Sequence, residues 1–456
     1  MPSLIIPSGL SPYTKQDLVD QFFTPLFIEK SRITDEFTVI TDVKTAKQLL
    51  KISPLDKITK GYALGTSYTP TGTGVTITPR VLTVARMKAQ EGQTPYEFYD
   101  TVYQITLAKG VDMNNLENDD ELRAIFMQAF NDALDRDAVR QGWLGDTAKE
   151  TMTNTGGLYS PSGTADEHYK EYIGIWPRVI KEFAAATIPA AQRLDINVST
   201  YQTTVAVKAK KTATLTGTSG TANVTINGVA YLATFDTDLT TTAANFVTAH
   251  AATIAARFGN AVVTSSGADI IVEAGHAGMN VLVAVANASG NLAGSVAPTT
   301  VAVRNTTLKA GAAKDIMQSL YEKRTNELSE FDENAARFYV TRTVYENYLA
   351  YLQSLAGGVE AAYVDLQNGK RTLSFNGIPL VKKADWDKRI GEDFGGVYPH
   401  RVLLTCKQAI VFGTDGDDDM ANSEAWYNQD EQLNKIRTEY CAGTQIVHEA
   451  YVTAAY

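Results

Sequence analysis

Five histidines and two cysteines are the residues best suited to metal or nucleophilic chemistry. The histidines, His168, His250, His276, His400 and His448, show neither HxxxH nor HxxE spacing, so they do not read as a metal-ligand set. Cys406 and Cys441 form no CxxC and imply neither a zinc site nor a disulfide framework. The acidic run Asp415, Asp417, Asp418 and Asp419 invites comparison with a calcium loop. Met420 stands where that loop needs glycine, and Trp426 occupies the position of its bidentate Glu, so the run reads as a solvated acidic loop. Gly72-Thr73-Gly74 and Gly217-Thr218-Ser219-Gly220 lack the GK[ST] that makes a glycine loop cradle phosphate. No GxSxG is present. The expectation is a non-enzyme with no catalytic residue, cofactor or metal.

The elements around these residues are more informative. From Asn118 to Gly142, the residues Leu122, Ile125, Phe126, Ala129 and Ala133 recur at the spacing of one helical face. Asn118 with Glu121 forms a capping pair, Asp119 and Asp120 suit the first turn, Arg136 and Arg140 suit the last, and Gly142 reads as the stop. Such a helix is about 35 Å long. It is a spine without a catalytic pattern.

Before it, Phe22, Phe23, Leu26, Phe27 and Ile28 cluster around Pro25. An arm this apolar needs cover, from its own domain or from a neighbouring subunit. Phe37, Val39, Thr41 and Val43 alternate as a half-buried strand, and Val75, Ile77, Val81 and Val84 do so again. The Gly/Thr/Pro-rich stretch from Gly61 to Val75 between them predicts the tip of a projecting hairpin. After the spine come a turn-rich connector, Gly142 to Gly163, and a helical segment from about Asp166 to Ala186, broken or kinked at Pro177.

Composition then changes. From Thr212 to Val303 the only charged residues are Asp236, Asp238, Arg257, Asp269 and Glu273. Short strands, an Asn227-Gly228 hairpin turn and a helix closed by Gly259 predict a small α+β domain inserted into a host. The host resumes with a helix from Ala312 to Ser329, a strand running into a helix from Ala336, a turn at Asn376-Gly377, two strands around Cys406, and a long polar strand pattern through Trp426 and Ile436.

The chain has 456 residues and a net charge of −10, which argues against a dedicated nucleic-acid binder and suits a wall that DNA slides along. No apolar run has membrane-spanning length, and the first residues lack a signal-peptide pattern, so a soluble, cytoplasmic protein is expected.

The order of these parts resembles the major capsid proteins of tailed bacteriophages, which have the Hong Kong 97 fold. The residues that carry the resemblance are the turn Gly142-Trp143-Leu144-Gly145-Asp146, the pair Gly157-Leu158, Phe338-Tyr339-Val340 and Tyr345 onward, and Phe375-Asn376-Gly377-Ile378-Pro379-Leu380-Val381. Arg437 through Gly443, Val447 and Glu449-Ala450-Tyr451-Val452 complete it. The resemblance implies an N-terminal arm (1–34), an E-loop region (35–100), spine helix and P-domain (101–165), an A-domain in two parts (166–206 and 309–414) around an inserted domain (207–308), and P-domain strands with a C-terminal segment (415–456). It further implies a shell of hexamers and pentamers around double-stranded DNA bound without sequence specificity. Portal, scaffolding and decoration proteins would be partners, and the virion, assembled in the host cytoplasm, the location. The family's fused scaffolding segment has no counterpart here, which leaves a separate scaffold. Lys57 and Lys60 lie where some relatives cross-link, without an identified partner.

Phe22, Phe23, Phe27, Tyr62 and Tyr68 are the expected intersubunit contacts. The alternatives are an encapsulin-type compartment or a surface adhesin with an Ig-like module. Deleting residues up to Ile28 is expected to leave a foldable subunit that forms no shells. Normal particles from the truncated chain, seen by electron microscopy, would refute the clamp.

Overall fold

Behind a short helix at Arg32–Glu36 come four strands, β1 (Thr38–Ile40), β2 (Ala46–Ile52), β3 (Ile77–Thr83) and β4 (Ala85–Gln93). This computed structural model describes residues 32–52, 77–94, 120–147, 168–304, 306–330, 335–355, 363–365, 371–394, 396–415 and 424–456. They fall into two units, Met1–Trp143 with Val411–Gln445 and Leu144–Ile410 with Ile446–Tyr456. The chain is a mixed α+β protein.

The strand expected over Phe37–Val43 is cut to three residues. Asp42 takes a left-handed φ of 59°, a conformation that short polar side chains tolerate, and this turn ends β1. Beyond it β2 and β3 pair antiparallel from Ala46↔Thr83 to Ile52↔Ile77, forming a two-stranded ribbon.

The long helix α1 spans Asp120–Leu144. Gly142 therefore lies inside it and does not stop it. Packing explains the glycine: a Cβ there would stand 3.4 Å from Cζ of Phe37. Phe37 lies with its ring centroid 5.1 Å from that of Trp143 and 6.2 Å from that of Phe412, and Trp143 Nε1 donates to the Glu36 carboxylate at 2.6 Å. This close approach offsets the roughly 1 kcal/mol that glycine costs inside a helix. Ala133, placed by its spacing on the apolar face, is exposed. The buried stripe of the second half is Leu134, Ala138 and Gln141, one helical step further round. Asn118 lies outside the described residues.

Pro177 breaks no helix. Residues 168–174 form turns, and α2 starts at Ile175 and runs to Ala184, which puts Pro177 in the first turn, where its missing N–H costs no hydrogen bond. Trp176, Val179, Ile180 and Phe183 are its buried face. Short strands β5 (Arg193–Leu194) and β6 (Gln202–Thr204) follow.

The uncharged stretch folds as β7 (Lys210–Thr216), β8 (Gly220–Ile226), β9 (Val229–Thr234), α3 (Leu239–Arg257), β10 (Val262–Ser266), β11 (Asp269–Glu273), β12 (Val283–Gly290) and β13 (Ala293–Thr300). One sheet has the order β10-β11-β7-β13 and the other β12-β8-β9. Asn227 and Gly228, with φ of 46° and 85°, make the expected β8–β9 turn. Asp238 caps α3 by accepting from Thr241 N–H at 2.8 Å. Thr242, Ala243, Phe246 and Ile254 form the buried side of α3, and Ala249 is exposed. β13 was not foreseen. Its Ala, Gly and Pro content favours strands poorly, and it lies at a sheet edge with an irregular register at Pro298.

After β14 (Thr307–Leu308), the helix expected from Ala312 to Ser329 divides into α4 (Ala312–Lys323) and α5 (Asn326–Glu330). Thr325 ends the first by capping the second: its hydroxyl accepts from Leu328 N–H at 3.1 Å. Then come β15 (Ala336–Thr341), α6 (Arg342–Ser354), β16 (Tyr363–Asp365), β17 (Arg371–Phe375), β18 (Ile378–Lys383), α7 (Ala384–Glu392) and β19 (Val402–Cys406). The strand-into-helix at Ala336 and the Asn376-Gly377 turn, with φ of 49° and 83°, are as expected. With β23 (Thr453–Ala455) these strands form a seven-stranded sheet, β16-β17-β18-β15-β19-β23-β5. Ile316, Met317 and Leu320 of α4 and Val344 of α6 share one core with Phe338, Val340, Val402 and Leu404 of the sheet.

β20 (Ile410–Thr414), β21 (Glu424–Asn428) and β22 (Leu433–Ile446) return to the first unit. β22 pairs with β4 from Ala442↔Ala85 to Asn434↔Gln93, and the sheet β1-β20-β22-β21 is completed around it. Replacing Gly142 with Leu is expected to cost about 1–3 kcal/mol, because the added carbons must displace Phe37. Thermal melting of the unassembled chain measures this, and an unchanged Tm would contradict the packing role.

Candidate assembly surfaces

The chemistry-bearing side chains are dispersed. His250 packs between Tyr231 and Phe246, with centroids 5.4 and 4.9 Å away, and its Nε2 lies 3.1 Å from the Leu232 carbonyl oxygen. His448 lies against the Tyr451 ring at 5.2 Å. Among the described residues no three His, Cys, Asp or Glu side chains converge in a metal-binding group. Cys406 and Cys441 are both buried free thiols, and burial holds the Cys406 thiol above its ordinary value. Asp415 accepts from the Cys441 N–H at 3.1 Å, while Asp417, Asp418 and Asp419 lie outside the described residues. At Gly217 and Gly220, with φ of 112° and 95°, a Cβ would meet the Asn291 and Ser289 carbonyl oxygens at 2.3 and 2.1 Å. Those glycines serve the close approach of two loops.

The expected contact residues Phe22, Phe23, Phe27, Tyr62 and Tyr68 all lie outside the described residues, as do Lys57, Lys60 and the Gly157-Leu158 pair. The described limbs of the hairpin nevertheless form a surface. In its register Gln48 faces Val81 and Leu50 faces Pro79, with Ile77 two residues along β3, so these side chains share one face of the ribbon. Leu50, Ile77 and Val81 are 61, 55 and 51 % exposed. The other face carries Lys47, Lys51 and Arg80. Residues 44–52 and 77–83 include Lys44, Lys47, Lys51 and Arg80 and no acidic residue, in a chain whose net charge is −10.

The base of this ribbon is fixed by features the sequence reading passed over. Leu82 is fully buried, and a Cβ on Gly413 would stand 2.7 Å from its Cδ2. A Cβ on Gly443 would meet the Thr83 carbonyl oxygen at 2.2 Å, so glycine is what lets the strands cross there. Gln445 Nε2 donates to the Val81 carbonyl at 2.6 Å. Glycines inside otherwise strand-forming runs were the available signal. Nearby, Tyr440 of β22 is buried, and desolvation, reinforced by Asp137 of α1, pushes its phenol up to about 12.

The outer strands of the same sheet present ion pairs: Arg86–Glu439 at 2.8 Å, Arg437–Glu424 at 3.2 Å and Lys435–Glu431 at 2.5 Å. Exposed pairs of this kind contribute about 0–1 kcal/mol each and mark a solvated face.

No family model and no curated protein matches the chain. Solved structures do. The satellite phage P4 procapsid that includes the size determination protein Sid is similar at 9% identity and a TM-score of 0.41, covering 98% of this chain and 91% of that one. A Mycobacterium phage Ogopogo chain is similar at 8% identity and 0.40, covering 100% and 96%, and the capsid of Myoviridae phage XM1 at 11% and 0.38, covering 100% and 99%. These three structures come from phages. At such identities and TM-scores the likeness by itself assigns no activity to this chain.

Leu50→Glu with Val81→Glu is expected to leave the isolated chain's stability within about 0.5 kcal/mol, as for other surface changes, while abolishing its self-association. Sedimentation velocity reads the second effect, and unchanged association would exclude this face as an interface.

Proposed function

We propose that this chain is a shell-forming subunit, the major capsid protein of a tailed double-stranded DNA phage with the Hong Kong 97 fold. In this reading it assembles as hexamers and pentamers into the icosahedral head, and its location is the virion. The observation that carries the reading is the β2–β3 ribbon. A two-stranded ribbon with one apolar face is marginal in water and must be covered, and its cationic back suits an otherwise acidic second copy. A contact of this kind joins unlike patches, and where its rotation closes it forms the rings that capsomers need. The resemblance of the motif order along the host chain supports the same reading.

The subunit is proposed to act by association alone, with no catalysis and no cofactor. Its partners are copies of itself, with portal, separate scaffolding and decoration proteins as further partners implied by the family. Among the described residues no helix is long and apolar enough to cross a membrane. The wall is proposed to hold DNA without gripping it. A net charge of −10 disfavours the multiple phosphate contacts that give steep salt dependence.

Electron microscopy of the purified full chain, expressed with and without a scaffolding protein, is the test. Closed icosahedral shells are expected; monomers or open filaments under every condition would overturn the proposal. Packaged DNA in particles from infected cells distinguishes a phage head from a protein-filled compartment. Isolated capsomers are expected to bind DNA weakly with a shallow salt slope, and tight, salt-sensitive binding would contradict the non-adhesive wall.

A further inference from the structure

Among the described residues, the segment between Val207 and Val303 is tied to the rest of its unit at a root of paired strands. There β6 and β14 pair at Thr204↔Thr307, and Val207 and Val303 exchange main-chain hydrogen bonds of 3.1 and 3.2 Å. Gly278 N–H donates to the Val207 carbonyl at 3.2 Å, and Ala209 N–H to that of Met279 at 3.1 Å. Asn197 clamps the leading strand, accepting from Ala206 N–H at 2.7 Å and donating to the Ala206 carbonyl at 3.0 Å. Arg304 Nε donates to the Gly278 carbonyl at 3.1 Å.

Two histidines add to the root, His276 from within the segment and His400 at Thr306, just before β14. His276, in the loop between β11 and β12, has Nδ1 3.0 Å from the Tyr398 hydroxyl, with the rings edge-on at 5.8 Å. Tyr398 is held in place by its own backbone, at a left-handed φ of 50°. The buried Arg401 pins that turn by donating to the Tyr398 and Val397 carbonyls at 2.8 and 2.9 Å. His400 is buried, with Nε2 3.3 Å from the Thr306 carbonyl oxygen and Nδ1 2.9 Å from the Thr343 hydroxyl. A carbonyl only accepts, so Nε2 carries the hydrogen; in the neutral imidazole Nδ1 then accepts from the Thr343 hydroxyl.

We propose that this root is an acid-sensitive hinge, in which neutral His276 and His400 hold the 207–303 segment seated and their protonation releases it.

The surroundings set the direction. Lys208 and Arg193, both cations, face His276, with Glu273 engaged 3.9 Å from the Lys208 Nζ. Beyond Tyr398 lie Tyr456, with Arg193 over its ring at 4.4 Å, and Asp195. Burial first, then Lys208 and Arg193, lowers His276 from the usual 6.5 to about 4. Burial also lowers His400, against the opposing pull of the Thr306 carbonyl and of Asp387, whose carboxylate already accepts from the Arg342 and Thr343 amides. A histidine whose pKa is depressed in the seated form takes up its proton on opening. Seating therefore weakens as pH falls below 6.5, and the His276 contribution levels off near 4. At pH 5 the opening equilibrium shifts about 30-fold from His276 alone.

Hydrogen exchange on the full-length protein tests the hinge, read at the Val207, Ala209, Gly278 and Val303 amides and corrected for the intrinsic pH dependence of exchange. A rise in opening of about tenfold or more between pH 7 and pH 5 is expected at these amides. Amides of β8 and β15 serve as unchanged references. His276→Gln should reduce the rise to a few-fold, and His276→Gln with His400→Gln should remove it. Should those variants misfold, Lys208→Gln offers a milder probe, since that side chain is 40 % exposed. Losing one repelling cation should shrink the rise. A pH-independent root, or an undiminished rise in the variants that fold, overturns the proposal.

Discussion

A ribbon of two strands has two faces and no third layer, so it buries neither by itself. That constraint governs the first unit of this protein. Its β2–β3 pair carries Leu50, Ile77 and Val81 in the open. Everything at its base serves to hold this arrangement rigid: Leu82 pressed against Gly413, Thr83 crossing Gly443, and Gln445 bonded to the Val81 carbonyl. Exposed apolar surface on a rigidly anchored element carries little ordering penalty on binding, which favours association with a partner over collapse onto itself.

The second unit is organised in the opposite sense. Its seven-stranded sheet is filled by Phe338, Val340, Val402 and Leu404 against α4 and α6, and its polar side chains work inward. Arg401 is fully buried yet spends its donors on the carbonyls of Val397 and Tyr398. Gln192 donates to the Glu449 and Val452 carbonyls, at 2.9 and 2.7 Å, tying the final residues to the turn before β5. His250, His276 and His400 are used the same way, as packed rings that each meet one or two neighbouring oxygens. Chemistry-bearing residue types here serve positioning.

Much of this was legible in the sequence where a local signal and the tertiary fold agree. Asn227-Gly228 and Asn376-Gly377 supply the positive φ their hairpins require. The failures share a cause: each residue had two local meanings, and a distant partner chose between them. Gly142 reads as a helix stop until Phe37 is seen to need its missing side chain. Pro177 reads as a kink until the turns at 168–174 move the helix start to Ile175. A hairpin in this region was legible, although its leading limb is β2 and the expected run Phe37–Val43 pairs with β20 instead. Its specific face was not, because that depends on the register Leu50↔Pro79, which no single strand encodes. The aromatic residues first singled out as contacts lie outside the described residues.

The central claim is that a second copy of the chain covers the apolar face of the ribbon. Side-chain oxidative footprinting of Leu50, Ile77 and Val81, compared between dissociated subunits and assembled particles, tests it most directly. Strong protection of all three on assembly, with Lys47 and Arg80 shielded from amine- and guanidine-directed reagents, is the predicted result. Equal labelling in both states would mean that the ribbon faces solvent in the particle, and the account of assembly built on it would be wrong.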